Sequence, residues 1–206
     1  MPAYFSMIME FSRAELDFDN MKELNAYIKH AGLEFKGGAW HAEGMSLDEI
    51  ADWNQKKLEE DFVLGYDENC ENDYKQMDLS YGGFSEVRGF IMNEEPVRGE
   101  YIFSILIPEE EVVIDAKTYK KEAVDKIKAM ASKLWILPKT RTIQTQLELS
   151  EGIVNEMDIK EGAAPAACPF AIVSEKQFGR MDTANYTAEH IEYGGVILIP
   201  KDIKLV

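Results

Sequence analysis

Cys168, one of two cysteines, lies in the stretch EGAAPAACPF, where a run of alanines is interrupted by two prolines. A cysteine becomes a nucleophile when a base such as His190 takes its proton and a carboxylate such as Asp182 or Glu192 orients that base. The chain holds these residue types. However, ACPF matches no local signature of the cysteine enzymes, and such a cysteine is more often a small buried hydrophobe. A dispersed enzymatic site around Cys168 and His190 is therefore only the alternative interpretation.

A second group of reactive side chains lies in WHAEG, where His41 and Glu43 are two residues apart. On a strand this spacing would direct both side chains to one face. It is also the H-x-E spacing of zinc deaminases, but the chain has no C-x-x-C pair to complete their metal site. The alternative that remains is a small-ligand pocket formed by Trp40, His41 and Glu43, with Trp53 as a further aromatic wall.

The segment DENCENDY spaces acidic and amide side chains like the ligands of a calcium loop. Its sixth position is Asn72 instead of the required glycine, and its twelfth is the short Asp78 instead of glutamate. We therefore predict no metal site and no cofactor. Residues 59–73 contain seven acids and no base, which predicts an exposed acidic surface for binding a partner. Its acids are Glu59, Glu60, Asp61, Asp67, Glu68, Glu71 and Asp73.

The charge of the chain is unevenly distributed. The formal net charge is −16, and residues 1–115 hold 26 acids against 9 bases, whereas residues 116–206 hold 12 acids against 13 bases. Binding of nucleic acid through its phosphates needs a concentrated basic surface, so this composition argues against it. No phosphate-binding glycine motif is present either. The basic segment 117–141 is expected to be a solvated helix face or to attract the acidic half of the chain.

The first half of the chain predicts a strand followed by two helices. Residues 3–11 are mostly apolar, as in a buried strand. Asn20 is a candidate N-cap for the next helix, and Gly32 is a candidate stop signal. A capping box of Ser46 and Glu49 opens the second helix. Residues 75–113 then predict three short strands separated by turn residues.

The second half predicts a third helix over residues 119–134, since apolar residues recur there at spacings of three and four. Residues 141–150 alternate polar and apolar side chains, which is typical of a half-exposed antiparallel strand. Two further strands are expected after residue 168. We predict an α+β fold with a mixed, mainly antiparallel sheet and about three helices.

Length and composition favour a single compact domain over residues 1–206. FSMIME at Phe5 and FSILIPE at Phe103 resemble each other, which leaves open a repeat of two βα halves, 1–99 and 100–206. The chain lacks a long apolar segment and a signal-peptide pattern, so we expect a cytoplasmic protein that does not enter membranes. We predict a non-catalytic protein-binding module, resembling an inhibitor or immunity protein in role, that recognises a basic partner.

Overall fold

The computed structural model describes residues 3–17, 19–63, 70–93, 99–150 and 152–206. The strands are β1 (Tyr4–Ser12), β2 (Glu34–Ala39), β3 (Gln76–Ser80), β4 (Val87–Asn93), β5 (Glu100–Pro108), β6 (Val113–Asp115), β7 (Thr118–Tyr119), β8 (Thr140–Leu147), β9 (Ala171–Ser174), β10 (Tyr186–Ile191), β11 (Gly195–Pro200) and β12 (Lys204–Leu205). The helices are α1 (Asn20–Ala31), α2 (Leu47–Glu59), α3 (Glu109–Val112), α4 (Lys121–Leu134), α5 (Glu156–Glu161) and α6 (Glu175–Phe178).

Within these residues, nine strands form one antiparallel sheet in the order β10-β11-β9-β8-β1-β5-β4-β3-β2. The other three strands form a small sheet in which β12 runs parallel to β7. The predicted α+β class with a mainly antiparallel sheet is confirmed. The described helices number six, more than the three expected, because α3, α5 and α6 are short helices of four to six residues.

The long helices begin and end largely where their sequence signals indicate. Ser46 and Glu49 form the predicted capping box of α2, and Gly32 ends α1 with a φ of 95°. The N-cap of α1 is Asp19 and not Asn20. Asn20 is instead the first helical residue, and its buried side chain accepts a hydrogen bond from the Asp17 amide and donates one to the hydroxyl of Tyr101.

One face of the large sheet packs against the three long helices and forms the main core. Along β1, Phe5, Met7 and Met9 alternate towards this face and are fully buried. They belong to the same cluster as Leu24 of α1, Leu58 of α2 and Ile127 of α4. The apolar side chains on one face of β1 therefore pack against the apolar faces of the helices. This packing removes the sheet face and the helix faces from water.

The opposite face of the sheet is covered over β8, β9 and β11. Ile159 of α5 packs there with Val173 and Val196 in a small second cluster. The strand β8, predicted to be half-exposed, lies between β9 and β1, and residues 142–145 are buried. That exposure prediction was wrong because the chain after residue 152 returns over β8, where Gln144 exchanges two hydrogen bonds with the backbone of Val154.

The remaining part of this second face stays accessible over β3 and β4. The strand β4 alternates between buried residues on the helix side and partly exposed residues on the second side. We call six of the exposed or partly exposed side chains on this surface the open face: Tyr4, Asp78, Arg88, Phe90, Met92 and Leu106. Three of the six are apolar. The open face is therefore an apolar and charged sheet surface that the fold leaves partly uncovered.

Two strand-helix-strand units organise the sheet. The strands β1 and β2 run in the same direction and are connected through α1, whereas β5 and β8 run in the same direction and are connected through α4. The chain segments 1–99 and 100–206 each begin with one such unit. A repeat of two related halves stays a prediction. Among the described helices, none is both long and apolar enough to cross a membrane.

Candidate functional site

The turn after β2 holds Trp40 in a sterically unusual conformation. Trp40 and His41 have φ values of 52° and 63°, a region that non-glycine residues rarely adopt. The backbone of Gly38 packs closely against the backbone of the buried residue Ala42. A Cβ atom at position 38 would lie 1.9 Å from the Ala42 carbonyl oxygen. The turn is thus fixed by backbone packing on Ala42. It leaves the indole of Trp40 56% exposed.

Trp40 folds onto the open face and contacts Arg88. The guanidinium carbon of Arg88 is 5.7 Å from the ring centroid of Trp40 and 5.2 Å from that of Tyr4. Arg88 Nη2 donates to the Tyr4 hydroxyl at 2.9 Å, and that hydroxyl donates to Glu86 Oε2 at 3.2 Å. Arg88 also forms an ion pair with Glu86. The cation therefore lies against two aromatic rings and has a carboxylate partner.

This cluster has a defined electrostatic character. Desolvation is the main cause that raises the pKa of Tyr4, and the nearby Glu86 carboxylate acts in the same direction, whereas Arg88 opposes both. Tyr4 therefore stays a neutral hydrogen-bonding group at physiological pH. Arg88 is neutralised within the cluster, so it does not make the open face basic.

The other residues of the predicted ligand pocket are placed differently. His41 and Glu43 are exposed in the turn and not on a strand, because β2 ends at Ala39. Trp53 lies on α2, where its Nε1 donates to the Asp73 carbonyl at 2.8 Å and its ring is 4.7 Å from Lys75 Nζ. Trp40 and Trp53 thus each have their own cationic partner. The small-ligand pocket of Trp40, His41 and Glu43 stays a prediction.

The described acids of the predicted partner surface are Glu59, Glu60, Asp61, Glu71 and Asp73, and we call them the acidic set; Asp67 and Glu68 lie outside the described residues. Bases from elsewhere in the fold lie among them. Arg13 Nη2 is 3.1 Å from Asp61 Oδ1, and the buried Lys57 Nζ is 3.2 Å from Glu60 Oε2. The acidity of this surface is therefore partly neutralised inside the protein.

The acidic set lies at the end of β4 on the helix side of the sheet, because the buried side chain of Asn93 points to that side. Asn93 directly follows Met92 of the open face on β4. Its Nδ2 donates to Asp61 Oδ1 at 3.2 Å and to the Phe62 carbonyl at 2.7 Å. Further acids lie at the open face itself: Asp78 is exposed, and Glu148 accepts from the Tyr4 amide at 3.0 Å. Asp78, Glu86 and Glu148 therefore place acidic groups beside the aromatic cluster.

Cys168 and His190 have separate surroundings. Burial raises the pKa of the Cys168 thiol, and its hydroxyl partner is Tyr119, whose opposing effect is smaller. His190 Nδ1 lies 3.4 Å from Glu175 Oε1, and its ring packs edge-on against Phe178. The Cys168 thiol is a protonated group at neutral pH and has no imidazole among these contacts. The dispersed enzymatic site around these residues stays a prediction.

The alanine and proline stretch before Cys168 packs along the sheet and is not a linker. Ala167 forms a parallel bridge with Thr145 of β8, and the Cys168 amide donates to the Thr145 carbonyl at 3.0 Å. The Ala166 amide donates to Gln144 Oε1 at 2.8 Å. This segment therefore satisfies polar groups of β8 and covers that strand.

Within the part of the chain that the structure describes, no group of three or more His, Cys, Asp or Glu side chains could hold a metal ion. No protein family and no curated protein sequence matches the chain.

Proposed function

We propose that the protein is a non-catalytic binding protein, inhibitor-like or immunity-like in role, that recognises a basic protein partner in the cytoplasm. Its contact surface is the open face with Trp40 at its centre. The single observation that carries the proposal is the exposed side chain of Trp40, which a strained turn holds against Arg88. The free thiol of Cys168 agrees with a reducing compartment.

The composition of the open face supports recognition of a protein. Trp, Tyr and Arg are the side chains most enriched among residues that dominate binding energy at protein interfaces. Here Trp40, Tyr4 and Arg88 are joined in one cluster, beside the partly exposed apolar side chains of Phe90 and Met92. Because Arg88 is already held by Glu86 and Tyr4, little side-chain entropy remains to be lost when a partner binds.

The charge around the open face supports a basic partner. Asp78, Glu86 and Glu148 lie on or beside it. The chain as a whole carries a net charge of −16. Complementary charge accelerates association and disfavours acidic competitors, including nucleic acids, and salt screens this effect. The proposed partner therefore combines basic side chains with an apolar centre.

Replacing Trp40 with alanine is expected to weaken partner binding at least about tenfold, because the substitution removes the aromatic centre of the contact. The measurement is capture from the source cell's lysate on immobilised protein at low and at high salt, with identification of the retained proteins and affinity measurement on the purified partner. We expect a partner of basic isoelectric point that is captured more weakly at high salt.

Tyr193→Ala is the matched control. Tyr193 is 73% exposed, has a φ of 58° and lies in the turn between β10 and β11, at the opposite edge of the sheet from β2. It should leave capture unchanged. Capture of an acidic partner would contradict the proposal. Equal loss of the captured partner in Trp40→Ala and Tyr193→Ala would contradict it as well.

A further inference from the structure

A cavity of about 230 Å³ lies between β8, α5 and α6, remote in sequence from the open face. Four of its lining residues are bases: Arg141 from β8, Lys160 from α5, and Lys176 and Arg180 from α6 and the residues just after it. One lining residue, Glu156, is an acid. The lining has a formal charge of +3, which is opposite in sign to the net charge of −16 of the whole chain.

The single carboxylate of the cavity is already neutralised. Glu156 Oε2 is 2.6 Å from Lys160 Nζ, and the side chain of Glu156 is only 7% exposed. Arg141 has its own partner, Glu15, which pairs with Nη2 from outside the cavity lining. Among the described residues, Lys176 and Arg180 have no carboxylate within ion-pair distance. Two exposed cations thus remain for an incoming anion.

The position of Arg180 is fixed by the fold. Its Nη1 donates to the Lys160 carbonyl at 2.8 Å, and this hydrogen bond connects the end of α5 to the segment that follows α6. Gly162, with a φ of 110°, allows this approach, because a Cβ there would lie 2.8 Å from the carbonyl oxygen of Arg180. The guanidinium is therefore held at the cavity by a backbone contact, and less conformational freedom would be lost on binding.

We propose that this cavity binds the phosphate group of a small molecule. Arginine forms paired hydrogen bonds with phosphate oxygens, and the two remaining cations, Lys176 and Arg180, complement a dianion. The volume is below the about 300–1,000 Å³ typical of pockets for drug-sized ligands, so it suits phosphate with few additional atoms. The proposal is independent of partner binding at the open face.

The test is titration of the whole chain with inorganic phosphate and with phenyl phosphate at constant ionic strength, followed by calorimetry. We expect saturable 1:1 binding that Arg180→Gln weakens about tenfold, through loss of a charge-assisted hydrogen bond. Lys121→Gln, at the far end of α4, removes the same charge and should not change binding.

Equal affinity for the two probes would assign the site to free phosphate, and tighter binding of phenyl phosphate would assign it to a phosphorylated small molecule. Either result supports the proposal. No saturable binding of either probe at millimolar concentration would overturn it. Equal weakening by Arg180→Gln and Lys121→Gln would do so as well, because it would indicate general charge attraction and not a site.

Discussion

Replacing Gly38 with alanine is expected to lower the free energy of unfolding by about 3 kcal/mol, because the new methyl group overlaps neighbouring backbone. Its Cβ would lie 1.9 Å from the carbonyl oxygen of Ala42 and 2.6 Å from the carbonyl carbon. Backbone atoms cannot rotate away as a side chain can. The turn must therefore shift, and with it Trp40. Urea unfolding of both proteins measures the change.

Gly37→Ala is the control for this substitution. Gly37 is the preceding residue of β2, and a Cβ there would meet no atom within 4 Å. The free energy of unfolding should change by less than about 1 kcal/mol in this variant. If Gly38→Ala and Gly37→Ala unfold at the same urea concentration, the close packing of the Trp40 turn on Ala42 is not a structural constraint.

Replacing Gln144 with leucine should cost about 3 kcal/mol or more, because several buried polar groups lose their partner at once. Gln144 Nε2 donates to Glu10 Oε2 at 2.6 Å and to the Val154 carbonyl at 2.7 Å. Its Oε1 accepts from the amides of Val154 at 3.0 Å and Ala166 at 2.8 Å. Leucine fills a similar volume and makes none of these four bonds. Thermal and urea unfolding both report the loss.

Gln146→Leu tests whether any glutamine on β8 would behave in this way. Gln146 projects from the same strand to the same face, but its buried Oε1 has no hydrogen-bond partner among the described residues. Its replacement should change the free energy of unfolding by less than about 1 kcal/mol. Equal losses in the two variants would show that the Gln144 contacts do not hold the covering segment on the sheet.

Local signals in the sequence predicted the long elements. The Ser46 and Glu49 capping box, the glycine stop at Gly32 and the spacing of apolar residues in α4 depend on residues within one or two turns. Such short-range signals allow helices to be predicted from the sequence alone. The prediction of α1 was off by one residue at its N-cap because Asn20 has a tertiary partner in Tyr101 instead.

Long-range contacts could not be predicted. The exposed acidic surface was inferred from seven acids and no base in residues 59–73, yet Arg13 reaches Asp61 from 48 positions earlier in the chain. The strand β8 alternates as a half-exposed strand would, and only the return of Val154 buries it. In β4 the residues on both faces are largely apolar, so the pattern does not tell which face the helices cover.

The candidate sites are likewise assembled across the chain. Trp40 was found because it is an unusual residue beside a histidine, but its partner Arg88, and the Tyr4 ring that Arg88 also contacts, come from two other strands. The four bases of the phosphate cavity come from β8, α5 and the α6 region, and their local sequence contains comparable numbers of acids. The fold brings the four basic side chains together around the cavity, whereas most of the neighbouring acids in the sequence do not line it.

The most direct test of binding through the open face is site-specific photocrosslinking in the presence of the purified partner. A benzophenone amino acid is placed at Phe90 of the open face or at Tyr27 of α1, both partly exposed aromatic positions on opposite sides of the sheet. We predict a crosslink to the partner from position 90 and none from position 27. A crosslink from position 27 without one from position 90 would contradict the account.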